Sequence, residues 1–418
     1  MARLPPQDPW WGGPLTRIGL VVNPVAGLGG RVGLGGTDGQ ERRHRALALG
    51  ARPLAGERAA AALRELRELR ELRAGPGAGA GAGALGGAVA GPGGGRPGAE
   101  PEVVTAAGAM GADSVAAAGL TARVVYAPGA EDETSAEDTL AAVRAVVAEG
   151  VDLLLLAGGD GTARDVLTAL GGAHCPVLGV PTGVKMHSAV FGVSPRAAGE
   201  VAAAWLARSG SVRLRDAEVM DRDEDELRAG RVASRLYGWL PVPDVPVRVQ
   251  QRKTGSTAGA PEAVGGIAAE VAERVGDGLL ALGPGSTTRA VAAALGADVS
   301  LTGVDVLALR PGHPAEVVLR DAGEDALLAA GPCWIALSPI GGQGFLLGRG
   351  NQQISPRVLR AAGGRERLLV VCTEQKLASL GGRPLLLDTG DEALDAELAG
   401  HLPVITGRRR TSLYRLTT

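Results

Sequence analysis

The stretch "VDLLLLAGGDGTARDV" (residues 151–166) sets an apolar run against a turn of three glycines around one acid, and the turn leads into a helical pattern. The apolar run has the length and leucine content of a buried strand. Glycines after a strand let backbone amides approach an anion, and the N-terminus of the next helix adds partial positive charge. Gly158, Gly159 and Gly161 are so placed, and Thr162 can cap the helix, which runs to about Leu170. The GxxxxGK[ST] spacing of a P-loop is absent, and no lysine follows. Asp160 therefore has three physically sensible roles. It can hold a metal bound to phosphates, take a proton from a hydroxyl attacking phosphorus, or fix the turn.

The pattern repeats on either side. "IGLVVN" (18–23) reads as a buried strand stopped by Asn-Pro, and a glycine-rich loop follows it. "ELRELRELR" (65–73) supports helix locally, although a three-residue period drifts around the helix and makes no steady apolar stripe. Residues 74–102 are Gly/Ala/Pro-rich and read as a flexible insertion. A strand at 123–128, a helix capped by Thr134 or Ser135, a strand at 176–181 and a helix near 195–208 complete the alternation. That alternation predicts an α/β fold: a Rossmann-like parallel-sheet domain over 15–210, binding ligands beyond the carboxyl ends of its strands.

From residue 211 to 418 a second, mixed α/β domain, partly β-rich, is expected to complete the cleft. Residues 231–251 alternate like strands but are broken by prolines, as in edge strands. "GLLALGPGSTTRAVAAALG" then reads as strand, glycine turn and a helix capped by Ser286. Ser355 and Pro356 start another helix, and "LLVVCTE" and "PLLLDTG" read as strands.

Composition excludes several classes. A net charge of −2 gives no basic field for nucleic acid or an anionic membrane surface. The three cysteines, Cys175, Cys333 and Cys372, have neither zinc nor disulfide spacing, and Cys175 and Cys372, in apolar strand-like surroundings, read as buried thiols of a cytoplasmic protein. No signal peptide or bilayer-length apolar run is present in the sequence. Of 43 basic residues only Lys185, Lys253 and Lys376 are lysines, and the chain has two asparagines and two phenylalanines. Where arginine replaces lysine so widely, a surviving lysine points to a position that needs a compact ammonium. Lys185 falls in "PTGVKMHSAVFG" (181–192), close to His187 and Ser188, where the ammonium suits phosphate and the imidazole suits either a hydroxyl or a structural hydrogen bond.

Three further segments could bind. "GPGSTT" (283–288), with Gly285, Ser286 and Thr287, and "GGQGF…GRGN" (341–351), with Gly344 and Asn351, are glycine turns at strand ends, able to hold phosphate or merely to turn the chain. The acids at 218, 221 and 223–226 mimic the start of a calcium loop, but Glu226 stands at the glycine position and Val232 at the final acid. A solvated acidic surface accounts for most of them.

Taken together, "AGGDGTARD" after a strand and "NPVAG" (23–27) resemble the superfamily of NAD kinases, diacylglycerol and sphingosine kinases and, more distantly, phosphofructokinases. The blocks "PTGVKMHSAVF", "EVMDRDEDELRAGRV", "LGPGSTTRAV", "SPIGGQGFLLGRGNQQISP" and "DTGD…GHLPVITG" are similar to the branch of ATP- or polyphosphate-dependent NAD kinases that includes proteins linked to acetoin catabolism. The resemblance spans nearly the whole chain apart from the insertion and the extreme termini. It implies that Asp160 deprotonates the 2′-hydroxyl of the adenosine ribose of NAD, with Gly158, Gly159, Gly161 and Thr162 lining the pocket. Mg²⁺ is implied to accompany the donor, ATP or polyphosphate. Asn23 and Gly27 enter as the equivalent of the superfamily's NPxxG turn. Asp221 enters at the position where many NAD kinases carry an acid after an asparagine, here Met220. The expected partners are small nucleotides and further copies of the chain. NAD kinases proper have a β-rich second domain, from which the strand–helix alternation after residue 279 departs. Two other readings stay open: a lipid or small-polyol kinase, although Arg164-Asp165 stands where lipid kinases carry Asn-Glu, and a nucleotide-binding regulatory protein without turnover.

Overall fold

Five short apolar runs build the first sheet of the computed structural model: β1 (Arg17–Val22), β2 (Glu102–Ala106), β3 (Ala122–Tyr126), β4 (Leu153–Gly158) and β5 (Val177–Pro181). All pair in parallel, in the order β3-β2-β1-β4-β5. The structure describes residues 17–34, 40–74, 101–129, 134–183, 186–210, 212–222, 234–245, 261–341 and 343–418. Most of the expected insertion, Lys185 and the acids at 223–226 lie outside them.

The helices of this half are α1 (Gln40–Ala48), α2 (Ala55–Ala74), α3 (Ala112–Ala117), α4 (Ala136–Ala148), α5 (Asp160–Leu170) and α6 (Pro195–Leu206). Right-handed crossovers put helices on opposite faces when the chain runs in opposite directions across a sheet. Accordingly α2 packs with α6 and α4 with α5. Two glycines let these layers close: a Cβ on Gly199 of α6 would stand 2.4 Å from Ala62 O of α2, and one on Gly19 of β1 would stand 2.5 Å from Val146 of α4. The leucine triplet of α2 drifts as its period requires. Leu63 and Leu66 are fully buried, Leu69 is half-buried, and Leu72, nine residues or about half a turn of phase beyond Leu63, is 74% exposed. The alanines of the first turns, Ala55, Ala59 and Ala62, supply the rest of the buried face.

A two-stranded antiparallel ribbon, β6 (Arg213–Arg222) with β7 (Ser234–Asp244), leads out of this half. The proline-broken stretch is thus an edge strand over its first part, and residues 246–251 lie outside the described ones. The second half holds α7 (Pro261–Val275), β8 (Gly278–Leu282), α8 (Ser286–Ala294), β9 (Asp305–Leu309), β10 (Glu316–Leu319), α9 (Glu324–Ala329), β11 (Trp334–Leu337), α10 (Pro356–Ala362), β12 (Leu368–Val371), α11 (Glu374–Ala378), β13 (Leu385–Leu386), α12 (Glu392–Leu398), β14 (Gly400–Gly407) and β15 (Arg410–Thr417). Its sheet runs β10-β9-β8-β11-β12-β14-β15-β13, with β8, β11, β12 and β14 mutually parallel inside antiparallel neighbours. Both faces are buried: Leu280 and Leu282 point to the α7 and α8 side while Ala281 and Ile335 point to the other. The mixed α/β reading of this half is met. No helix among the described residues is long and apolar enough to cross a membrane.

Two expected caps change. Ser286 is the first residue of α8 and Gly285 its N-cap, because Gly285 takes φ +138° and Thr288 Oγ1 donates to Gly285 O at 3.0 Å. Thr162 lies inside α5, and its Oγ1 accepts from the amide of the N-cap Gly159 at 3.4 Å. Ser135 caps α4 through a capping box with Asp138.

Phe191, one of the two phenylalanines, is fully buried against the bare Cα of Gly179 in β5, where an added Cβ would lie 2.2 Å from the ring. Gly179→Ala should cost roughly 1–3 kcal/mol by overpacking, read as a lower urea midpoint at unchanged m-value.

Candidate active site

The strand order reverses between β1 and β4, so the crevice outside their carboxyl ends is where a doubly wound sheet binds its ligand. Three loops meet there. Asn23, after β1, donates from its backbone N to Ala157 O at 2.9 Å and from Nδ2 to Thr162 Oγ1 at 3.1 Å. Its Oδ1 accepts the Val25 amide at 3.2 Å, closing the Asn-Pro turn. The loop after β5 donates the Thr182 and Gly183 amides to Gly158 O at 3.0 and 3.2 Å.

The glycines let these loops touch. A Cβ on Gly27 (φ +79°) would overlap Thr182 O at 1.9 Å, and Gly183 would place one 2.9 Å from Gly159 Cα. Gly158 would drive its own into Thr162 at 2.4 Å. Gly27, Gly158 and Gly159 thus serve chain-on-chain packing in this structure.

Asp160 opens α5 and is 6% exposed. Its Oδ2 accepts the His187 amide at 2.7 Å and its Oδ1 the Ser188 amide at 3.0 Å. His187 Nδ1 stands 3.3 Å from Oδ2. Ser188 fixes the next element: its Oγ donates to Met220 O at 2.8 Å and accepts the Met220 amide at 2.9 Å. Beside Met220, Asp221 pairs with Arg164 of α5 at 3.0 Å and lies next to Gly161. Asn23, Thr162, Asp160, His187, Ser188 and Asp221 are therefore brought to one centre.

The remaining candidates lie elsewhere. Ser286 and Thr287 sit at the carboxyl edge of the second sheet, where Lys376 Nζ donates to Thr287 Oγ1 at 3.2 Å and to Ser338 Oγ at 3.0 Å. Asn351 is buried and spends its amide inside its own loop, accepting Gly348 N at 2.9 Å and donating to Leu346 O at 2.8 Å. Gly344, at φ +83°, turns the chain so that its carbonyl accepts the Leu386 amide. No group of three or more His, Cys, Asp or Glu able to hold a metal exists among the described residues. The described residues by themselves therefore form no cage for a divalent cation.

Sequence reading missed the residues that join the halves. Gln343 Nε2 donates to Met186 O at 3.1 Å, and Gln352 Nε2 donates to Gly183 O at 3.4 Å, so the second half touches the chain at both Gly183 and Met186. Arg349 and Arg58 both pair with the buried Asp388, Arg349 at 3.1 Å, and Arg349 also stacks 4.7 Å over the Phe345 ring. Burial pushes the Arg349 guanidinium down to about 10, against the pull of Asp388. Arg349, Gln343 and Gln352 fall in the quoted "SPIGGQGFLLGRGNQQISP" block and Asp388 in "DTGD", whereas Arg58 falls in none. Burial also pushes the Cys175 thiol up to about 12 and Cys372 to about 11, so neither is a nucleophile near neutral pH.

Two α/β halves closing over a GGDGT turn at a topological switch point define the architecture of a phosphotransferase of the GGDGT type. The ATP-NAD kinase N-terminal domain matches residues 99–209 and the ATP-NAD kinase C-terminal domain matches residues 272–416. The chain belongs to the ATP-NAD kinase family and is an NAD kinase-like enzyme. The family brings NAD as acceptor, a nucleotide donor and a divalent metal. No curated protein and no solved structure matches the chain. The Asn23 turn lies outside both matched segments.

Asp395 offers a test of the join. It accepts the Thr389 amide and hydroxyl, and burial first, then the nearby Asp388, pushes its carboxyl up from 3.8 to about 6. Between these values the folded chain holds a proton that the unfolded chain releases, so this group subtracts stability as pH rises through that window. The melting temperature of the parent, relative to Asp395→Asn, should fall from pH 4 to pH 6 and level off above. A difference that is flat with pH would show Asp395 to titrate normally.

Proposed function

We propose that the protein transfers a phosphoryl group from ATP or polyphosphate to the 2′-hydroxyl of the adenosine ribose of NAD, with Asp160 as the general base. The observation that carries this reading is the setting of Asp160: a carboxylate in place of a lysine at the switch-point turn, with each oxygen held by one of two successive backbone amides of the loop after β5. Each oxygen spends one lone pair on an amide and keeps another for an incoming hydroxyl. A base fixed in this way contributes mainly by alignment, and phosphoryl transfer depends more on alignment and charge neutralisation than on proton abstraction. His187, beside Oδ2, orients the same hydroxyl or the carboxylate itself.

Asn23 and Thr162 keep the α5 N-terminus against the β1 loop, so the helix-end charge faces the donor phosphates. Mg²⁺ on those phosphates supplies charge neutralisation. Asp221, held by Arg164 next to Gly161, is the carboxylate this reading assigns to the acceptor.

The test is direct. Purified protein with NAD, Mg²⁺ and either ATP or polyphosphate should form NADP, followed with an NADP-specific dehydrogenase. Asp160→Asn should lower that rate by about 10²–10⁴-fold, the usual weight of a general base, while NAD affinity stays within a few-fold. An active Asp160→Asn enzyme would make the aspartate a turn residue. NAD binding with no NADP from either donor would favour a regulatory protein.

A further inference from the structure

His187 reaches Asp160 twice, once through its backbone and once through its ring. Its amide donates to Oδ2 at 2.7 Å, and its Nδ1 stands 3.3 Å from the same oxygen. Nδ1 is buried and has no hydrogen bond of regular geometry among the described residues. A carboxylate has no proton to offer and presents only lone pairs. In the neutral ring the proton therefore sits on Nδ1, facing Oδ2, and the lone pair sits on Nε2. Nε2 lies across the ring from the carboxylate. It bonds to no described residue and, unlike Nδ1, is not sealed from solvent, the side chain being 15% exposed.

The other polar side chains at this centre are already bonded to the protein. Asn23 donates to Thr162 and accepts from Val25, and Thr162 accepts from both Asn23 and Gly159. Ser188 donates to and accepts from the backbone of Met220, and Asp221 pairs with Arg164. Two lone pairs thus stand beside each other for a ligand: one on the Asp160 carboxylate, and one on Nε2, an imidazole's width farther out. A single hydroxyl carries one proton and satisfies one of them. Two hydroxyls on adjacent carbons, held cis by a five-membered ring, satisfy both.

We propose that His187 Nε2 receives the hydroxyl next to the one that Asp160 deprotonates, and so restricts the site to a cis vicinal diol. On the NAD reading given above, on which this step rests, the pair is the 2′- and 3′-hydroxyls of the adenosine ribose. His187 then sets which hydroxyl reacts: with the 3′-hydroxyl on Nε2, the 2′-hydroxyl is the one left at the carboxylate.

Binding alone tests this, with no donor present and no turnover. Isothermal titration of the full chain compares NAD with the analogue that lacks the 3′-hydroxyl of the adenosine ribose. The parent should bind NAD about five-fold more tightly than the analogue, the usual weight of one hydrogen bond. Three variants move the polar atom. Gln sets an amide group near the Nε2 position, Asn sets one near Nδ1, and Phe keeps a ring without either nitrogen. His187→Gln should keep most of the preference, whereas His187→Asn and His187→Phe should bring the ratio close to one. A general loosening of the loop weakens both ligands alike and leaves the ratio unmoved. The reverse order, with the preference kept by His187→Asn and lost by His187→Gln, overturns the proposal and makes His187 a residue that acts only through Asp160. Equal binding of NAD and the analogue by the parent overturns it as well, as does a preference that survives in His187→Phe. NAD preferred over the analogue but never converted to NADP removes the kinase reading and keeps the diol. NADP formed without such a preference does the opposite, and a parent that binds no NAD removes both.

Discussion

The close approach of three backbone loops at Gly27, Thr182, Gly183 and Gly159 is the constraint on which the site depends. Parallel strands deliver their C-terminal loops to one edge but leave them about a strand spacing apart. Bringing them into contact requires positions without Cβ atoms, and here a methyl group on Gly27 would sit inside the van der Waals radius of Thr182 O. Contact between the loops lets a side chain on one loop be held by backbone from another. Asp160 belongs to the β4 loop, yet the amides that orient it belong to the β5 loop. Glycine thus acts on the carboxylate at one remove, by setting the distance between loops.

Much of the first half could be read in the sequence because each apolar run was short, buried and ended by Gly, Pro or Asn. β1, β4 and β5 fall within a residue or two of their expected bounds. β2 was hidden because the composition of the preceding low-complexity stretch runs up to its first residue, and nothing local in "EVVTA" separates it. The triplet repeat of α2 warned of drift, and drift is observed, but burial of the helix rests on alanines that carry little signal of their own. Ser286 misled because serine before a helical run usually caps it, whereas a glycine already in an unusual φ had taken that position.

At the site, residue type was informative where function and folding coincide. Asn23 and Thr162 stood in glycine turns, and their mutual hydrogen bond holds those turns together. Asn351 stood in a similar turn for a different reason, since its amide satisfies the loop that contains it. Scarcity therefore marked positions where the side chain matters without telling ligand from scaffold. Arg58, Arg349 and Asp388 carried no such mark: in a chain this rich in arginine, a buried guanidinium looks like any other until its partner, 330 positions away in the case of Arg58, is brought beside it.

That buried cluster changes how the two halves relate. Removing one member of a buried ion pair strands the other, typically at a cost of about 3–5 kcal/mol, so the Arg58–Asp388–Arg349 group resists partial opening. The same group lies one turn of chain from the glycine contacts, because Arg58 also donates to Pro181 O, the residue just before Thr182. The second half is thereby attached to the loop that positions Asp160 through charge, and to its other end through Gln343 and Met186. A separation of the halves that breaks these bonds would release both ends of the loop holding the carboxylate. Alignment of Asp160 and closure of the two halves are for this reason a single structural condition, met or lost together.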